Sequence, residues 1–156
     1  MNMTNLAPMF TSDKDCWETP QTLFDQLNAE FGFTLDAAAS DTNHKCERYF
    51  TKKDDGLRQD WQGETVFCNP PYGNKETGMW TEKCYREAQK PGTTVVLLIP
   101  ARTDRVSFHE YILDKAEIRF IKGRLKFEID GKPIRDDKGR PVGAPFPSMI
   151  VIWKKE

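Results

Sequence analysis

Apolar positions recur along this chain with two periods. Leu23, Phe24, Leu27 and Phe31 fall three or four residues apart, the spacing that lines one face of an α-helix. Thr19-Pro20 ahead of them reads as an N-cap and first helical residue, because proline lacks an N–H that the first turn would leave unpaired, and Gly32 can end the helix left-handed. Trp80, Cys84 and Ala88 repeat the four-residue spacing and predict a second helix; residues 107–113 fit a short third one. The other apolar runs are too short for helices. Residues 33–36 and 65–69 predict two strands, each ending on a polar side chain, Asp36 and Asn69. Residues 94–99 are almost uniformly apolar, as a central parallel strand covered on both faces should be. Residues 118–121, 125–129 and 149–153 complete the set, and the Pro/Gly-rich span 130–147 is expected to be a long loop. Strand–helix–strand alternation that gives way to closely spaced strands predicts an α/β fold, a sheet with helices on both faces and an antiparallel end.

A chain of 156 residues suits one domain, expected over residues 13–156 behind a flexible arm at 1–12. The longest apolar run, 95–99, is far short of the ~20 residues that span a bilayer, and no basic segment followed by an apolar one opens the chain. A cytoplasmic protein with no membrane partner is expected. The cysteines form no CxxC pair, and His44 and His109 stand alone, so neither a metal site nor a disulfide framework is expected. A net charge of -1 conceals a division: residues 1–78 carry 7 basic against 13 acidic side chains, residues 79–156 carry 16 against 11. Such a split suits a cationic ligand on one side and a polyanion on the other, or a merely solvated surface. No feature demands more than a monomer.

The sharpest local signal is Asn69-Pro70-Pro71-Tyr72, placed where an apolar strand stops. In an open α/β sheet ligands collect at the carboxyl ends of strands. Two prolines fix φ twice, remove two N–H donors and hold Asn69 extended, so the turn is a rigid platform of acceptors. An exocyclic amine conjugated to a ring is a poor nucleophile because its lone pair is delocalised. The Asn69 side-chain oxygen and the Pro70 carbonyl could bind its two hydrogens and aim that lone pair at an electrophile, with Tyr72 stacking on a base that has left its helix.

These residues match the catalytic motif of amino-group methyltransferases, and the chain from about Trp17 to Trp153 resembles the compact phage and prophage DNA N-6-adenine methyltransferases, often called Dam-type. The likeness runs through Trp17-Glu18-Thr19-Pro20, Leu35-Asp36-Ala37-Ala38, Asp55-Gly56-Leu57, Asn69-Pro70-Pro71-Tyr72-Gly73, Pro100-Ala101-Arg102-Thr103-Asp104 and Gly123-Arg124-Leu125-Lys126-Phe127. It implies S-adenosylmethionine as cofactor, DNA as substrate, a host bacterium's cytoplasm as the place of work, and a Rossmann-like methyltransferase sheet. Catalysis would rest on Asn69, Pro70, Pro71 and Tyr72. The cofactor would be bound by Trp17, Thr19, Pro20, Asp36, Ala37 and Asp55, and DNA by Arg102, Thr103, Arg105, Arg124 and Lys126. Two departures matter. The usual glycine-rich loop after the first strand is replaced by Ala37-Ala38-Ala39-Ser40-Asp41, and Asp36 to Asn69 leaves too few residues for two full helix–strand crossovers, so that region should be reduced.

With no room for a recognition domain, base reading would fall to loops, chiefly the basic span 130–147. Arg119 and Lys122 extend the expected phosphate-binding face. The same turn would serve a methyltransferase acting on cytosine N-4, on RNA or on a protein glutamine. A non-catalytic DNA-binding module is the alternative of another class.

Overall fold

The computed structural model describes residues 17–154; the expected arm at 1–12 lies outside the described residues. In chain order the elements are α1 (Gln21–Phe31), β1 (Leu35–Asp36), a 3-10 turn (Gly56–Arg58), β2 (Thr65–Cys68), α2 (Asn74–Ala88) and β3 (Thr94–Pro100). A π-helical turn (Phe108–Ile112), β4 (Glu117–Phe120), β5 (Glu128–Ile129), β6 (Lys132–Pro133) and β7 (Ser148–Lys154) follow.

Five strands form one sheet in the order β1-β2-β3-β7-β4. β1, β2 and β3 are parallel, while β7 runs against both β3 and β4, so β4 points the same way as the first three. The carboxyl ends of four strands therefore share one edge, and the segments after Asp36, Cys68, Pro100 and Phe120 all leave from it. The antiparallel end expected from the closely spaced late strands is β7, inserted between β3 and β4.

Period-two alternation sorts the sheet's side chains into two cores. Val66, Cys68, Val95, Leu97, Ile99, Met149, Val151 and Trp153 pack against Trp80, Cys84 and Ala88 of α2 and against Phe108 and Ile112. Phe67, Val96, Leu98, Ile150 and Ile152 point the other way, onto Phe24 and Leu27 of α1. Helices cover both faces, which is why β3 had to be apolar throughout.

Three expectations need correction. First, α1 starts at Gln21, with Pro20 as its extended N-cap residue and no side-chain cap, so Thr19 is not a cap. Gly32 ends the helix at φ 68 and gives its N–H to Asn28 O at 2.8 Å, as expected. Second, residues 125–127 are not strand. Third, the span 130–147 is not a free loop. Asp130 (φ 53) and Gly131 (φ 77) make the tight left-handed turn of the β5–β6 hairpin. Ile134, Val142, Ala144 and Phe146 then lie buried on the second face of the sheet. Backbone bonds from Val142 N to Ile134 O (2.9 Å) and Ala144 N to Leu125 O (2.8 Å) hold the segment down. Its apolar residues are spaced too irregularly to read as helix or strand, and only Asp130-Gly131 signalled a turn.

Between β1 and β2 the chain is reduced as expected. It makes a single bridge from Tyr49 to Asp36 and the 3-10 turn, and is anchored by Trp61, fully buried, whose ring N–H donates to Gly56 O at 3.0 Å.

Candidate active site

Asn69 follows β2 at the shared edge, and its amide is held on both sides. Nδ2 donates to Thr19 Oγ1 at 3.0 Å and to Trp17 O at 3.3 Å. The Trp17 carbonyl can only accept, so the nitrogen must face it and Oδ1 must face away. Oδ1 accepts from the Tyr72 hydroxyl, which also reaches Leu98 O at 3.1 Å. Burial holds the Tyr72 phenol well above its ordinary range, with Cys68 reinforcing the shift, so it stays a donor. An sp² oxygen has two acceptor directions, which leaves one on Asn69 Oδ1. The Pro70 carbonyl accepts from no N–H among the described residues. Asn69 Oδ1 and the carbonyl of the buried Pro70 are thus two acceptors on a proline-stiffened turn.

Tyr72 differs from expectation. Its ring does not stand free but lies edge-on to Trp17, Phe127 and Phe146, with centroids 5.7, 5.9 and 5.6 Å away.

Beside the turn lies a cleft of about 480 Å³. Trp17, Thr19, Asp36, Ala37 and Asp55, which the sequence assigned to a cofactor, all line it together with Asn69 and Pro71; Pro20 does not. Asp36 is 4% exposed. Burial raises its carboxyl above the usual carboxylate range, although the N–H groups of Lys45 (2.9 Å) and Ala38 (3.4 Å) pull it back. Asp55 sits left-handed at φ 60, a conformation its short polar side chain tolerates, and accepts from Leu57 N at 3.3 Å. Gly56 lets the 3-10 turn pack directly against the backbone that leaves β1. A Cβ there would stand 2.3 Å from Ala37 O, so only glycine fits at this junction.

Lys45, Phe50, Leu57, Glu76 and Trp80 also line the cleft and were not singled out from sequence. Trp80 was legible only as a helix position facing the core. Glu18 was missed as well: its carboxylate accepts from Asp130 N at 2.8 Å and Gly131 N at 2.9 Å. The lining mixes flat apolar rings with the carboxylates of Asp36, Asp41, Asp55 and Glu76 and the ammonium groups of Lys45, Lys52 and Lys53. That composition fits a molecule with an aromatic base at one end and a cationic, hydroxyl-bearing portion at the other.

The basic residues divide. Arg102, Thr103, Arg124 and Lys126 are exposed on segments leaving the shared edge, and Arg105 is half-buried, donating to Asn74 Oδ1 at 2.7 Å. Arg119 is not available to phosphate: it grips Glu30 with two bonds of 2.7 Å and also pairs with Glu117. Arg140 is paired with Asp136 at 3.0 Å and Arg135 donates to Gly139 O at 2.7 Å, so much of the positive charge in 130–147 is bound within its own turn. His44 stacks on Tyr49 and His109 bonds Thr103 O at 2.8 Å. Among the described residues no helix is long and apolar enough to cross a membrane.

Comparison with known proteins gives the same direction. The family model described as DNA N-6-adenine-methyltransferase (Dam) matches residues 7–156. A DNA N-6-adenine-methyltransferase of Haemophilus phage HP1 is 40% identical over 146 residues, 92% of this chain and 80% of that protein. One of Escherichia phage T1 is 31% identical over 120 residues, 76% of this chain but 49% of that protein, so the match spans only about half the length of the phage T1 enzyme.

Proposed function

Because the chain belongs to the DNA N-6-adenine-methyltransferase (Dam) family, we propose that it moves a methyl group onto the exocyclic amine of an adenine in DNA. The observation that supports this reading is the Asn69 amide, at the lining of the cleft, with its nitrogen held by Trp17 and Thr19 and its oxygen keeping one acceptor direction beyond the Tyr72 hydroxyl.

Each acceptor takes one hydrogen of the adenine amine. Holding both hydrogens favours a pyramidal nitrogen and frees the lone pair from the ring, and the rigid turn keeps that lone pair directed without reorganisation during reaction. S-adenosylmethionine, when bound, supplies an electrophilic methyl on a sulfonium and leaves as the neutral thioether. Asp36 and Asp55 would hold its cationic and hydroxyl-bearing portions, and Trp17, Phe50 and Trp80 its flat base. No side chain at the turn needs to act as a strong base: the amine gains its bond to carbon and then loses one proton to water. Asn69 and the neutral Tyr72 phenol do not titrate near pH 7. Arg102, Thr103, Arg105, Arg124 and Lys126 would hold DNA phosphates along the shared edge.

Incubation of the chain with S-adenosylmethionine and, separately, DNA, RNA and protein, followed by mass spectrometry, tests the reading. N6-methyladenine in DNA is the expected product. Methyl on cytosine N-4, RNA or glutamine would replace it with one of the related activities, and no transfer at all would favour a binding module. Asn69→Ala should slow transfer by roughly 10²–10³-fold, the scale of losing one preorganised polar group, with little change in affinity for S-adenosylhomocysteine.

A further inference from the structure

We infer that Thr19, assigned by resemblance to the cofactor, is a positioning residue that holds the Asn69 amide in the orientation the accept-only Trp17 carbonyl selects; the inference rests on Asn69 as the acceptor of the target amine. A primary amide can be turned through 180° with little change in shape, yet the two orientations have opposite meaning here. With Oδ1 outward the turn accepts an N–H of the target; with Nδ2 outward it would present donor to donor. The choice is made by Trp17 O, which can only accept, and Thr19 Oγ1 takes the second hydrogen and keeps the amide there. Trp17 O and Thr19 Oγ1 both receive Nδ2 hydrogens, and on the other side the Tyr72 hydroxyl donates to Oδ1.

A partner can impose an orientation only if it does not move. Thr19 is 2% exposed and Glu18 is 7% exposed. Glu18 is bound to the β5–β6 hairpin at four points: its N–H donates to Glu128 O (2.8 Å), its O accepts from Glu128 N (3.0 Å), and its carboxylate accepts from Asp130 N (2.8 Å) and Gly131 N (2.9 Å). The hairpin turn thereby fixes Glu18, Glu18 fixes its neighbours, and these fix Asn69. The residues 128–131, far from the turn in sequence, become part of what orients the acceptor.

The test separates this from a cofactor contact. Thr19→Val keeps the shape and deletes the acceptor; Thr19→Ser keeps the oxygen. On folded protein, the valine variant should lose about 10–100-fold in kcat at saturating substrates, while its Kd for S-adenosylhomocysteine by calorimetry stays within about threefold. The serine variant should restore kcat to within about threefold. A second readout needs no activity: solvent exchange of the Asn69 side-chain amide protons by NMR should quicken in Thr19→Val and not in Thr19→Ser. Wild-type kcat in the valine variant, or unchanged amide exchange, overturns the inference. Unchanged kcat with a raised Kd returns Thr19 to the cofactor. Should the wild-type chain transfer no methyl, the proposed function falls and the catalytic half of this inference with it, and amide exchange alone decides whether the lock exists.

Discussion

Asp36 is the residue where stability and binding pull apart. Its carboxyl is buried at the end of β1, and burial raises it above the usual range although the N–H groups of Lys45 and Ala38 and the Lys45 charge pull it back. The sign follows from proton linkage. Between the ordinary carboxylate value of ~3.9 and the raised folded value, the unfolded chain has released a proton that the folded chain retains, so stability is greatest at low pH and falls as pH climbs through that window. Asn in this place keeps an oxygen for Lys45 N and cannot ionise. Asp36→Asn is therefore expected to melt above the wild type at pH 7, with the difference shrinking towards pH 4, and to bind S-adenosylhomocysteine more weakly. A variant that melts lower at pH 7 would overturn the burial argument, and one that binds equally well would remove Asp36 from the proposed cofactor site. The residue types were legible in the sequence, because a carboxylate and an amide standing where strands stop are placed by the sheet itself. Their partners were not: that Thr19 faces Asn69 and not the helix it precedes depends on Glu18 and the hairpin more than a hundred residues away.

At the scale of elements, legibility followed periodicity. α1, α2, β2 and β3 were visible because each carries one regular stripe or one continuous apolar run. The span 130–147 was misread because it covers the sheet with isolated apolar residues inside a polar, glycine-bearing turn, and no period describes such a strap. The consequence is a changed expectation. Replacing 130–147 with a Gly-Ser link would strip Ile134, Val142 and Phe146 from the second core, about 2 kcal/mol of burial each, which with Ala144 rivals the net stability of a small domain. Circular dichroism should show loss of cooperative unfolding, not a folded enzyme with relaxed specificity; a cooperative melt near that of the wild type would show that the strap is dispensable. A second joint ties α2 to the reduced region. Glu87 is 4% exposed, accepts from Trp61 N at 2.6 Å and pairs with Lys83 at 3.1 Å and Lys90 at 2.7 Å. Burial pushes its carboxyl up, but the bonds from Lys90, Trp61 and Lys83 outweigh that and hold it below the usual value. This stabilisation is present above the ordinary carboxylate range and lost as pH falls through the lowered one. Glu87→Ala should cost on the order of 1–3 kcal/mol by leaving the buried Trp61 N–H unpaired, measurable as a lower denaturation midpoint, and should loosen the Gly56 wall of the cleft.

For the whole molecule the single shared edge decides how charge is used. Because β1, β2, β3 and β4 point the same way, the cleft after β1, the amide turn after β2 and the basic segments after β3 and β4 open onto one rim. The acidic and basic halves of the chain meet there. The positive charge of the second half is nevertheless smaller than it looks, since Arg119 and Arg140 are spent on internal ion pairs, while Arg102, Arg124 and Lys126 are exposed at the rim. If contact is confined to Arg102, Arg124 and Lys126 at the rim, few phosphates are neutralised, so DNA affinity should fall only gently with salt, by ~0.9 in log K per log unit of salt for each phosphate on a duplex. Arg102→Ala and Arg124→Ala should each flatten that slope by about one unit while leaving the melting temperature nearly unchanged. Arg119→Ala supplies the contrast: it breaks the bond between β4 and Glu30 of α1, so it should lower the melting temperature and leave the slope alone. Fluorescence anisotropy over a salt series on all three variants reads both outcomes. Should Arg119→Ala flatten the slope as much as Arg102→Ala does, DNA must run along the outer face of β4 and not across the rim, and the cleft and the bound duplex would no longer meet at Asn69.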